Sequence, residues 1–87
     1  MAIENAEKAI KAAYAYLMRA LFASNVHMDR VSNFRVEEAE INDIGNYRIT
    51  LSYDVVGEFA FDRQRELKDF EVDKENNVLS MKIHPKG

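Results

Sequence analysis

The 87-residue sequence has no cysteine, no tryptophan, a single proline and only three glycines. Without cysteine, neither disulfides nor thiolate metal sites can supplement the small core that a chain of this length builds. So few glycines and prolines imply regular elements joined by short connections. Basic charge is also scarce: the net charge is −3 and the isoelectric point about 5.3. The densest basic group, Arg63, Arg65 and Lys68, is interleaved with Asp62, Glu66 and Asp69. That pattern lacks the basic face of a nucleic-acid binder, so none is expected as a partner. Long apolar runs are missing as well. The most apolar stretch, Ala12 to Met18, ends at Arg19, well short of the roughly 20 residues that span a bilayer. Glu4 and Glu7 precede it, where a signal peptide would carry positive charge. The expectation is a single domain over residues 1–87, cytoplasmic and without a membrane segment.

With 47% hydrophobic and 31% charged residues, the composition is that of a folded globular domain. Its apolar period changes once. Up to about Ala23 the spacing is helical: Ile3, Ala6, Ile10, Ala13, Tyr14, Leu17, Met18 and Leu21 share one broad stripe, opposite Glu4, Lys8, Lys11 and Arg19. Ser24-Asn25 suits a helix end, because asparagine tolerates the left-handed conformation found there. Tyr16 and Phe22 fall off the stripe and are expected to pack on a sheet that cradles the helix. A connector follows, with a short helical turn around Asp29 to Val31.

From Phe34 onward the residues alternate, most clearly at Tyr47, Ile49, Leu51, Tyr53 and Val55. Four strands are predicted: Phe34–Ile41, Tyr47–Val56, Glu66–Asp73 and Val78–His84. Phe34 and Val36 share one parity and Ala39 and Ile41 the other, so a β-bulge is expected at Glu37-Glu38. Asp43-Ile44-Gly45-Asn46 and Glu75-Asn76-Asn77 read as tight turns. In the last strand Leu79, Met81 and Ile83 are expected to face the helix, and Pro85 ends it. The fold class is α+β, with one N-terminal helix on a curved four-stranded antiparallel meander in the order α-β-β-β-β.

Between Val56 and Arg65 the sequence allows two arrangements. Either the second strand runs on past Gly57 and Phe59 and Phe61 cover the helix end, or they form an exposed apolar tip rimmed by Asp62, Arg63 and Arg65. Aromatic side chains favour the covered arrangement. The exposed one would make Phe59, Phe61, Arg63 and Arg65 a candidate binding surface.

Helix followed by meander resembles the cystatin-like α+β roll. The segment from Lys68 to Lys82, KDFEVDKENNVLSMK, resembles the last hairpin of PepSY-like domains, with Asn76-Asn77 where those carry glycine. The chain is also similar in outline to small bacterial proteins of this shape. The inhibitory Gln-x-Val-x-Gly loop of cystatins does not carry over, since the first hairpin here reads Ile41-Asn-Asp-Ile-Gly-Asn46.

Chemistry-bearing residues are sparse. His27 and His84 have no second metal ligand at helical spacing, and Ser24, Ser32, Ser52 and Ser80 lack a nucleophile-elbow pattern. No catalytic residues, metal or cofactor are expected. The leading expectation is a non-catalytic binding or regulatory module for a protein or peptide, as monomer or homodimer. The alternative is a small-molecule binder or weak enzyme with a helix–sheet cleft lined by Tyr14, Tyr47 and Tyr53.

Overall fold

The computed structural model describes residues 3–57, 59 and 61–85, with side chains from Ala6 onward; Glu58, Ala60 and the side chains of Ile3 and Glu4 lie outside it. One helix, α1 (Ile3–Ala23), leads through a short 3-10 turn (Met28–Arg30) into β1 (Val31–Ile41), β2 (Tyr47–Val56), β3 (Arg63–Val72) and β4 (Val78–Ile83). The strands form one antiparallel sheet in sequence order. The α-β-β-β-β meander expected from the period switch is the observed fold.

Among the described side chains of α1, Ala9, Ala13 and Leu17 are fully buried, one helical turn apart. The seam is narrower than the predicted stripe and turned towards Tyr16, which packs edge-on against Phe70 at 6.4 Å. Alanine lets the helix backbone approach the sheet closely, so contact concentrates on that line and Tyr14 is left at the rim. Phe22, expected to pack, is exposed. The helix ends at Asn25 (φ 63°), with Val26 N–H donating to Leu21 O and Asn25 N–H to Phe22 O, the paired bonds of a Schellman motif.

Against this seam lie Tyr47, Ile49, Leu51 and Tyr53 of β2, Phe70 and Val72 of β3 and Val31 of β1. β1 carries the expected irregularity, with Glu37 extra between the Val36–Leu51 and Glu38–Thr50 pairs. It also begins three residues earlier than predicted. A second bulge at Asn33 (φ 56°) and Phe34 restores phase, so Val31 and Ser32 still pair with Val55 and Asp54. β3 likewise starts early, with Arg63 opposite Val56. On β4 the expectation fails in part. Met81 packs on the core, but Leu79 and Ile83 are 56% and 73% exposed. Leu79 is the extra residue of a bulge beside Val72, and Ile83 lies at the last position of β4, an edge strand.

Both predicted turns form, and they are built alike. Asn42 Oδ1 accepts the N–H groups of Ile44 and Asn46, and Asp73 Oδ1 accepts those of Glu75 and Asn77. The fourth position of each turn has positive φ, Gly45 at 85° and Asn76 at 65°.

Candidate functional site

Both turns lie at one end of the sheet. The other end gathers the last turn of α1, the connector, the start of β1 and the loop between β2 and β3, because Val31 pairs with Val55 and Val56 with Arg63. The loop is pinched at its base. Gly57 N–H donates to Asp62 O at 2.6 Å, and Asp62 N–H to Phe59 O at 2.9 Å. A Cβ on Gly57 would meet the Asp62 carboxylate, which would have to turn aside, and would press on the Asp62 carbonyl oxygen at 3.2 Å.

Beyond the pinch, Phe59 and Phe61 are 57% and 88% exposed. Their rings stack on each other, 5.4 Å between centroids and 7° from parallel. The covered arrangement favoured by residue type is therefore corrected: α1 ends against the connector, and its packing does not extend to these rings. Phe22 and Met28 are exposed at the same end, around a depression they form with Asn25, Val26 and His27. The helical period sets Phe22 off the stripe, with packing expected of it, and gives no sign of Met28; the exposure of both follows from where the sheet stops.

The arginines named with the phenylalanines part from them. Arg63 is exposed, with its guanidinium 3.9 Å from Asp54. Arg65 is half-buried on the outer face of the sheet, donating to Asp54 Oδ1 at 2.9 Å and to Ser52 Oγ at 2.7 Å. Ser52 is fully buried there and donates its own proton to Glu37, the bulge residue of β1. Asn33 completes the cluster by donating to Asp54 at 2.7 Å. These bonds, from Asn33 first and then Arg65, hold the Asp54 carboxyl below its ordinary 3.8. Arg65 Nε is the buried side-chain polar atom left without a partner among the described residues.

Further along the same face, Asp69 accepts the Thr50 hydroxyl at 2.6 Å and faces His84 Nδ1 at 2.8 Å. Asn46 and Asn42 both donate to Glu71 Oε2 and lower its pKa from 4.5. Ser52, with its hydroxyl bonded on both sides and no exposed surface, has no room for a substrate. No three histidine, aspartate or glutamate side chains come together to hold a metal among the described residues. No described helix is long and apolar enough to cross a membrane.

The tyrosine cleft is not assembled as predicted. Tyr14 packs edge-on against Phe34 at 5.1 Å, and Phe34 stacks on Tyr53 at 5.6 Å, leaving Tyr53 only 2% exposed. Burial, then the Glu66 charge, raise the Tyr53 hydroxyl above 10.0. Tyr47 lies six residues along β2, about 20 Å away at the turn end. What exists instead is an apolar groove of about 220 Å³ between α1 and β1, lined by Ile10, Tyr14, Phe34, Val36 and Leu51 with Lys11 and Arg35 beside them. Phe34, inward by simple alternation with Val36, lines it and was not among the predicted cleft residues.

No protein-family model, curated protein or solved structure matches the chain.

Proposed function

We propose that the chain is a non-catalytic binding module that takes a protein partner at the loop end of its sheet, with Phe59 and Phe61 as anchors. One observation carries this reading: two large aromatic rings stand in solvent, stacked on a loop closed by backbone bonds. Aromatic side chains dominate the energy of protein interfaces, and an anchor already held in one conformation loses less entropy on docking. Phe22 and Met28 extend the apolar surface at that end. Arg63, partly neutralised by Asp54, supplies a polar rim.

The groove between α1 and β1 supports a smaller role. At about 220 Å³ it falls below the roughly 300–1,000 Å³ of small-molecule sites. It has room for one or two apolar side chains of a partner.

A photo-crosslinking phenylalanine analogue at position 61, introduced in the cells the protein comes from, tests the anchor. The expected result is one discrete adduct. It is absent when the analogue stands at Lys8, on the exposed side of the helix, and is lost when Phe59→Ser is added. No adduct from position 61, or the same adducts from both positions, would sink the proposal.

A further inference from the structure

We infer that β4 pairs with β4 of a second copy, antiparallel and centred on Met81, joining two four-stranded sheets into one of eight strands. The two free edges of the sheet are unlike. Bulges at Asn33-Phe34 and at Glu37 break the β1 edge, which also carries Arg35, Glu37, Glu38 and Glu40. Such features blunt an edge against further pairing. The β4 edge has a single bulge, at Leu79, and one charge, Lys82, in Val78–Ile83.

Backbone polarity on β4 follows from one bond. His84 donates its N–H to Leu67 O, so alternation turns the N–H and C=O of Lys82 towards β3 and those of Met81 and Ile83 towards the open edge. A further strand would bond to these groups.

The side chains identify that strand. With Met81 opposite Met81 of the second copy, Ile83 lies opposite Leu79, and Lys82 opposite Ser80. Leu79 and Ile83, both exposed in the single chain, then cover each other twice. Behind Ser80, in register on β3, stands Glu71, so each Lys82 faces a carboxylate across a small neighbour. Other registers that keep the same backbone groups facing lose this match. One sets Lys82 against Lys82, and its opposite sets Ile83 against Asn77 and Lys82 against Val78. A two-fold contact of this kind closes on itself and does not propagate.

Sedimentation equilibrium of the full chain is expected to show a concentration-dependent monomer–dimer. Ile83→Lys, and separately Leu79→Glu, weaken the dimer by about tenfold or more while leaving thermal unfolding of the dilute monomer unchanged. The doubly substituted chain Leu79→Glu/Ile83→Lys recovers dimerisation, since each new carboxylate then lies opposite a new ammonium. The absence of native cysteine allows a second measurement. Mixed under oxidising conditions, Ser80→Cys and Lys82→Cys chains cross-link to each other faster than either does to itself, because that pair lies about 4.5 Å apart between Cα atoms. A monomer up to millimolar concentration, a dimer insensitive to Ile83→Lys, no recovery in the double variant, or self-linking as fast as mixed linking would each overturn the inference. Phe59→Ser/Phe61→Ser leaves the dimer intact, so this inference and the loop-end proposal fail separately.

Discussion

The two ends of the sheet are made on opposite principles. At the turn end, Asn42 and Asp73 each satisfy two backbone donors, Gly45 and Asn76 take the left-handed positions, and Asn42 and Asn46 anchor Glu71. Polar groups there are engaged with one another. At the loop end, backbone bonds close the β2–β3 loop but the largest side chains, Phe59, Phe61 and Phe22, remain outside the core. Side-chain bonds to turn backbone mark one end, where Ile44 is also exposed, and stacked exposed aromatic rings mark the other.

Leu17→Ala sets the scale for that contrast. It removes a fully buried side chain from the seam that both ends share, and a loss of about 2–5 kcal/mol in urea unfolding is expected. Phe59→Ser/Phe61→Ser costing as much would mean that the loop end is core after all. Next comes Asn42→Ala, which leaves two turn N–H groups without their side-chain acceptor; about 1–2 kcal/mol is expected. Gly45→Ala, at a φ of 85°, should fall in the same range of about 1–2 kcal/mol. Stability unchanged in both variants would show that the turn end is not built by its turns.

Acid titration probes the same end more gently. Asp73, bonded by the Asn77 and Glu75 N–H groups, and Glu71, bonded by Asn46 and Asn42, are lowered from 3.8 and 4.5. The folded chain therefore binds fewer protons than the unfolded one in this range. The stabilisation is complete above these ordinary values and is lost as pH falls through the lowered ones. Asp73→Asn should flatten the acid limb of a stability-versus-pH curve; an unchanged limb would assign it elsewhere. The smallest effect is expected at the loop end itself, where Phe59→Ser/Phe61→Ser should shift unfolding by no more than about 0.5 kcal/mol.

Several of these features are readable from local residue order. The helix stop at Asn25, the bulge at Glu37 and both turns come from constraints that act within a few residues: a left-handed position, a parity slip, an Asx side chain over a turn. Other features are not. Phe59 and Phe61 alternate as strand residues do, yet burial depends on whether another element reaches them, and none does. Leu79 and Ile83 carry an inward pattern on an edge strand where Val78 and Met81 pack on the core and these two do not. Arg65, grouped by sequence with the phenylalanines, is drawn away by its cross-strand neighbour Asp54.

Composition and periodicity alone thus carry the helix, the four strands, their antiparallel order and the chemistry of the turns, because each rests on short-range sterics and on one apolar face per element. Contacts between distant residues carry the rest. They select Ala9, Ala13 and Leu17 as the seam, bring Phe34 beneath Tyr14, join Glu37 to Ser52 and Arg65, and leave Phe59 and Phe61 in solvent. A residue's exposure is set by the reach of a single helix across four strands, and no window of sequence contains that reach.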